Sequence, residues 1–302
     1  MKVLGFGEKS NTPVAVALGF FDCVHKGHAA VIARAKELAA SMGAECAVFT
    51  FRNDPGIYFG KQKRLYTFEE RLEALSDIGV ERVIAADFDA AFASLSAEDF
   101  LQKLTSSLPV VAVTAGEDHT YGRGAEGNAD ALKKVLSPRV KTEILPILTS
   151  NGEKISSTAI KSAIERGDVA RANAMLSEPY FMLGKVAHAH GRGNSFGFPT
   201  ANIPYDESRL APAAGVYATT VTVDGVTMAG GTNVGTKPTF GDDRPSVETF
   251  ILDFEGDIYG KDIKLSFHEK IRDICRFPSA EALAAALKKD VARIREILGR
   301  QK

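Results

Sequence analysis

Apolar, β-branched runs and helical periods alternate through the first half of the chain and cease to alternate after about residue 177. Val14–Leu18, Cys46–Phe51, Arg82–Ala86, Val110–Val113 and Glu143–Ile147 are each apolar enough to be buried on both faces of a sheet. Between them, His28–Ala40 repeats apolar residues at helical spacing and stops at Gly43. Thr67-Phe68-Glu69-Glu70 is a capping box that opens a helix to about Ile78, and Ser96-Ala97-Glu98-Asp99 opens another. Strands separated by helices cannot pair through tight turns, so the pattern predicts an α/β domain with a mostly parallel sheet and helices on both faces. Such sheets bind ligands at the carboxyl ends of their strands.

Beyond residue 177 the strand-like runs follow one another directly: Phe181–His188, Val216–Val223, Val226–Gly230, Glu248–Phe254 and Ile263–Phe267. Asp224-Gly225 between two β-branched runs is a two-residue hairpin signal. The expected closure is an antiparallel β-barrel, with an amphipathic helix from Ser279 to about Leu298 packed outside it. The change of pattern sets the expected domains at 1–178 and 179–302.

Composition adds limits. The 302 residues are 45% hydrophobic and 25% charged, enough for two cores, and the formal charge of −1 gives no basic field for nucleic acid or anionic lipid. The start lacks the apolar core of a signal peptide, and no stretch reaches the roughly 18 apolar residues of a membrane span. A cytoplasmic protein is expected. Cys23, Cys46 and Cys275 are odd in number and scattered, so free thiols are expected rather than a disulfide framework or zinc site.

Three segments carry candidate chemistry. Gly19-Phe20-Phe21-Asp22-Cys23-Val24-His25-Lys26-Gly27-His28 lies where the first strand hands over to the first helix, a place that suits phosphate. Two imidazoles three residues apart can meet phosphate oxygens there, whereas a metal site would lack third and fourth ligands of convincing spacing. Ile155-Ser156-Ser157-Thr158-Ala159-Ile160-Lys161 reads either as a plain N-cap or as a second phosphate contact at a helix start. Gly191-Arg192-Gly193 through Gly197-Phe198-Pro199-Thr200-Ala201-Asn202 reads as a surface turn or as a glycine-rich phosphate cradle, with the Thr200 hydroxyl available to Mg²⁺.

The His-x-Gly-His pattern after a first strand resembles the nucleotidylyltransferase superfamily. Gly184-Lys185-Val186, Gly191-Arg192-Gly193, the Pro-Thr-Ala-Asn turn, Gly215-Val216-Tyr217, Asn233 to Phe240 and Val247 to Phe254 resemble the riboflavin kinase barrel. In that order, they make essentially the whole chain similar to the bifunctional riboflavin kinase/FAD synthetase family. The resemblance implies a Rossmann-like nucleotidylyltransferase domain followed by a riboflavin kinase barrel. It also implies two reactions: phosphorylation of riboflavin by ATP to FMN, then adenylylation of FMN to FAD with release of pyrophosphate.

The roles it implies are these. Glu248 is the base of the kinase step, and His25 and His28 stabilise charge on the α-phosphate. ATP meets Gly19, Phe20, Asp22, Asp118, Ser157, Thr158 and Lys161 in the first half and Gly191, Gly193, Thr200 and Asn202 in the second, with Thr200 on Mg²⁺. Flavin meets Asn53, Asp54 and Arg272, although Arg272 could equally be a barrel-edge ion pair. The implied partners are small molecules, without nucleic acid or membrane, and a homo-oligomer stays open. The sequence departs from the family's pattern at four places. Cys23 stands for a glycine, Lys161 for an arginine, His119 and Tyr121 for phenylalanines, and Arg52-Asn53-Asp54 for Asp-Pro-His. Two other readings therefore remain beside the bifunctional one: a kinase with a weakened front domain, and a non-catalytic flavin sensor.

Overall fold

A computed structural model describes residues 1–60, 63–136, 138–150, 152–187, 200–204, 208–237 and 242–299. It divides into two compact units, Met1–Ser157 and Thr158–Lys302. The first unit runs β1 (Lys2–Gly5), β2 (Val14–Leu18), α1 (Lys26–Ser41), β3 (Glu45–Phe51), α2 (Pro55–Tyr58), α3 (Phe68–Asp77), β4 (Arg82–Ala86), α4 (Ala90–Ala93), α5 (Ala97–Ser107) and β5 (Val110–Gly116). A small ribbon of β6 (Thr120–Tyr121) and β7 (Gly127–Asn128) follows. The unit continues with α6 (Ala129–Leu136), β8 (Lys141–Leu145) and a second ribbon, β9 (Thr149–Ser150) with β10 (Glu153–Lys154).

Six strands form one parallel sheet in the order β1-β4-β3-β2-β5-β8. Central β2 is buried along its whole length, with Val14, Val16 and Leu18 turned to the layer of Phe100, Leu104 and Leu132 from α5 and α6. The opposite face is covered by α1, which Thr114 Oγ1 ties to β5 by donating to the Val31 carbonyl at 2.9 Å. The expected capping box is present: Thr67 N donates to Glu70 Oε2 at 2.8 Å and Glu70 N to Thr67 Oγ1 at 3.2 Å. Edge strand β1 was not expected, because four residues are too short for a periodic signal. β8 stops at Leu145, two residues short of the expected end, where Pro146 can donate nothing to a ladder.

The second unit begins with α7 (Ser157–Glu165), which takes its first residue from the other unit, and α8 (Val169–Met175). β11 (Phe181–Lys185), β12 (Thr200–Ile203), β13 (Gly215–Val223), β14 (Val226–Lys237), β15 (Asp242–Ile251), β16 (Asp262–Arg272) and α9 (Ala280–Gly299) follow. The strands pair antiparallel in the order β11-β16-β13-β14-β15-β12. The two edges meet where Ala187 N donates to the Asn202 carbonyl at 2.9 Å, which nearly closes the barrel. Buried Thr219, Thr232 and Thr249 form a hydroxyl chain across three strands, each link 2.8 Å.

At the hairpin turn Asp224 and Gly225 have φ of 49° and 78°, the left-handed pair that a type I′ turn requires. α9 lays Ile294 and Ile297 on the outer face of the barrel beside Phe250. A Cβ on Gly231 would stand 2.3 Å from that ring, so the packing needs a glycine.

Several expected boundaries move. β13, β14 and β16 run beyond the expected apolar runs, because pairing with neighbours continues through polar residues such as Asn233 and Glu269, whereas β15 starts earlier, at Asp242, and stops at Ile251, short of Phe254. β12 was read only as part of a phosphate loop. The units divide at Ser157/Thr158 and not at residue 178. Asn173 of α8 donates to the Phe267 carbonyl at 2.8 Å and accepts from Tyr180 N at 2.8 Å, and Ala213 N donates to the Ile164 carbonyl at 3.2 Å, so α7 and α8 belong to the barrel's core.

Arg272, at the end of β16, holds Asp290 of α9 through Nε at 3.1 Å and Nη2 at 2.9 Å, and Asp290 is only 3% exposed. Replacing Asp290 by alanine leaves a half-buried guanidinium without its carboxylate and is expected to cost about 3 kcal/mol in urea unfolding. Cutting the exposed Lys261–Asp224 pair by Asp224→Asn should cost less than about 1 kcal/mol.

Candidate active sites

The chain leaves β2 through Gly19 and Phe21 and enters α1 at Lys26. Phe21 is held at a left-handed φ of 50°, with its ring so close over Gly19 that a Cβ there would stand 2.8 Å away. This turn brings both motif histidines to the N-terminus of α1. His25 caps the helix: its Nδ1 accepts the His28 N–H at 3.0 Å, so in the neutral ring the proton sits on Nε2. His28 Nδ1 donates to the Cys23 carbonyl at 2.5 Å. The two rings stack with centroids 3.5 Å apart and planes 13° off parallel. Burial, and then the neighbouring His28, push His25 down to about 3, and burial pushes His28 down to about 4. A Cβ on Gly27 would come 3.1 Å from the His25 ring, so the stack also depends on that glycine.

The stacked pair stands at the wall of a cavity of about 620 Å³ within the first unit. Gly19, Phe20, His25, His28, Asp118 and Ser157, all expected at a nucleotide site, line it together; Phe51, Phe59, Phe88 and Phe92 make much of the remainder aromatic. Asp118 in its lining and Asp22, a charged neighbour of His25, are both engaged. Lys154 donates to Asp118 at 2.8 Å and holds that carboxyl below its ordinary value, while Ser157 Oγ donates to Asp22. Cys23, one of the departures, is buried with its sulfur 3.9 Å from Ser157 Oγ. It serves the site through a main-chain carbonyl and has no positive φ, so a glycine is not required there.

In the second unit, strand register places Glu248 directly between two amides: it pairs with Asn202 of β12 on one side and with Asn233 of β14 on the other. Val247, Thr249 and Ile251 alternate with it and are buried. Asn202 Nδ2 is buried with no hydrogen-bond partner. Thr200 opens β12 opposite Phe250. Gly191 and Gly193 lie outside the described residues. Thr158 and Lys161 stand in the first turns of α7.

A family profile described as FAD synthetase matches residues 7–159, and one described as riboflavin kinase matches residues 176–298. A bifunctional riboflavin kinase/FMN adenylyltransferase of Listeria monocytogenes is 39% identical over 280 residues, covering 91% of this chain and 89% of its own. The chain belongs to this bifunctional family. The Bacillus subtilis member is 36% identical over 282 residues, covering 91% of this chain and 89% of its own. A crystal structure from Streptococcus pneumoniae, described as a macrolide-efflux protein, superposes with a TM-score of 0.86 at 30% identity over 97% of this chain and 98% of that one. Among the described residues here, no helix is long and apolar enough to cross a membrane. The chain is thus an enzyme of the kinase/adenylyltransferase family with both of its domains.

The structure gives three of the expected flavin contacts other occupations. Asn53 clamps Phe88, donating to its carbonyl at 2.9 Å and accepting its N–H at 2.7 Å. Asp54 caps α2 by accepting Gly56 N at 2.6 Å, and Arg272 is in its ion pair with Asp290. Arg71 was missed. It is fully buried on α3, donates to Thr50 Oγ1 at 2.8 Å and to the Phe51 carbonyl at 2.6 Å, and lies 4.9 Å from the centre of the Phe20 ring. It therefore fixes two walls of the cavity. Its sequence signal is a cation on the apolar stripe of α3, three residues after Phe68 and three before Ala74.

His25, His28 and His119 are all pushed below the ordinary imidazole value of 6.5, His119 to about 4 by burial. Between pH 6.5 and about 4 the unfolded chain binds protons that the folded first unit does not, so stability must fall as pH falls through that window. Each histidine contributes a slope of about 1.4 kcal/mol per pH unit. Urea midpoints of the first unit measured from pH 6.5 down to 5 should decline, and the decline should be shallower in His119→Phe. An equal slope in that variant would mean that His119 titrates as an exposed imidazole.

Proposed function

We propose that the first unit transfers the adenylyl group of ATP to FMN and that the second transfers the γ-phosphoryl group of ATP to riboflavin. The observation that supports this most is the stacked His25–His28 pair at the start of α1, in the wall of an aromatic cavity. One enclosure offers donors for phosphate and flat apolar walls for a ring.

In adenylyl transfer an FMN phosphate oxygen attacks the α-phosphorus of ATP, and the bond to pyrophosphate breaks. FMN brings its own nucleophile, so the protein's work is to position the reactants and stabilise charge. His25 Nε2–H is already a donor, and the positive end of α1 favours anions beside it. Ser157, Thr158 and Lys161 are assigned to the leaving pyrophosphate; lysine keeps the charge there without the bidentate fork of arginine. Gly19 and Phe20 border the nucleotide, and Asp118, with its charge met by Lys154, is a polar contact for the adenylyl end.

In the kinase step the terminal ribityl hydroxyl attacks the γ-phosphorus, ADP leaves, and the hydroxyl proton passes to Glu248 Oε. Asn202 and Asn233 hold that carboxylate's surroundings from both neighbouring strands. Gly191 and Gly193 are assigned to the phosphate cradle. Thr200 and Asn202 would hold Mg²⁺, which when bound offsets phosphate charge. A hydroxyl and an amide oxygen are the hard donors that a cation arriving with a nucleotide takes while keeping some of its waters, and the buried, unpartnered Asn202 Nδ2–H is a donor suited to a phosphate oxygen beside it. No group of three or more His, Cys, Asp or Glu side chains poised for a metal occurs among the described residues. The formal charge of −1 supports small-molecule substrates over nucleic acid.

The kinase-only reading loses ground because Cys23 is accommodated without disturbing His28. The two chemistries should separate. With riboflavin, ATP and Mg²⁺ the parent chain is expected to yield FMN and then FAD. Glu248→Gln should abolish FMN formation yet still make FAD from supplied FMN. His28→Ala should keep riboflavin phosphorylation and lose about 10²-fold or more in FAD formation. Loss of both activities in either variant would overturn the assignment, as would FAD synthesis at the parent rate in His28→Ala.

A further inference from the structure

Among the described residues, two that line the first unit's cavity each carry a buried side-chain polar atom with no hydrogen-bond partner: His119 Nε2 and Tyr121 Oη. They are neighbours, with rings 5.9 Å apart and 14° from parallel. A buried hydroxyl or imidazole nitrogen without a partner destabilises the free protein, and this chain carries two in one wall. Tyr121 cannot swing away to find water. Its ring packs 5.7 Å from Phe100, and it lies so close over Gly127 that a Cβ there would stand 2.6 Å from the ring. Burial raises the Tyr121 phenol and lowers His119, so both are neutral near pH 7 and suited to neutral polar partners. The family pattern has phenylalanine at both positions, which would leave no such atoms.

Of the other polar groups of the cavity that the phosphate reading uses, His25, His28 and Ser157 suit anions, and Asp118 is occupied by Lys154. His119 and Tyr121 offer something different: a donor–acceptor pair set in aromatic walls. We propose that His119 and Tyr121 bind the donor–acceptor edge of a planar heteroaromatic ring and thereby set ring specificity in adenylyl transfer. The inference rests on the cavity being the adenylyl-transfer site. Both substrates of that reaction carry such an edge, the dione edge of the flavin and the aminopyrimidine edge of adenine.

The test uses the full chain and FAD formation from supplied FMN and ATP, with KM for each substrate, kcat, and the melting temperature at pH 8. His119→Phe and Tyr121→Phe restore the usual residues. Each is expected to raise KM for one substrate about tenfold, the loss of one good hydrogen bond, with kcat within about threefold and a melting temperature equal to or above the parent's. A rise for FMN alone names the flavin ring, and a rise for ATP alone names adenine. The proposal is overturned if both KM values stay within about twofold of the parent. It is also overturned if both rise together, which marks general distortion, or if the melting temperature falls by several degrees, which means these atoms have partners in the free protein. A parent chain that makes no FAD would instead sink the reading of the cavity itself.

Discussion

The start of α1 has to be capped and yet remain open to an anion, and the first site follows from how that conflict is resolved. A carboxylate, one of the usual capping groups, is a poor solution because it would repel phosphate. Imidazole has two nitrogens with different roles. His25 accepts the His28 N–H with one and keeps an N–H on the other, so a single side chain ends the helix and still offers a donor. His28 can stack on it at 3.5 Å because burial keeps both rings neutral. The left-handed turn at Phe21, the missing Cβ at Gly27 and the carbonyl of Cys23 all serve this arrangement.

What the sequence disclosed was mostly local. The Thr67–Glu70 box, the buried run of β2, the Asp224-Gly225 turn and the His-x-Gly-His pattern each lie within a few residues and follow from short-range sterics and hydrogen bonding. What it hid was long-range. Lys154 meets Asp118 from 36 residues away, and Ser157 meets Asp22 across 135. Asn53 is a flavin contact only by resemblance of its loop to the family's; its hydrogen bonds to Phe88, 35 residues away, are invisible in the sequence. The division of the compact units at Ser157/Thr158 was hidden for a related reason: α7 and α8 continue the helical pattern of the first half but pack with the barrel.

Glu248 shows how register can turn an ordinary residue into a candidate base. Alone, a glutamate among β-branched residues is an outward, solvated position on a strand. Pairing places an asparagine across from it on each side, and a shift of one residue would instead send it into the interior occupied by Val247 and Thr249. The packing of Phe250 over Gly231 and against α9 helps to fix that register, so a residue with no polar atom in its side chain helps to aim the carboxylate.

The charge arrangement of the first site argues for phosphate chemistry over metal binding. Two carboxylates stand beside the histidines, which on composition alone would suit a cation. Each is already engaged, Asp118 by an ammonium and Asp22 by the Ser157 hydroxyl, and the histidines spend their Nδ1 atoms on the backbone. Acidic groups so engaged repel an anion less, while the positive end of α1 continues to attract one. The same engagement limits how the carboxylates can turn, so the wall is preorganised before any ligand enters. That is the condition under which fixed dipoles stabilise a transition state more effectively than water.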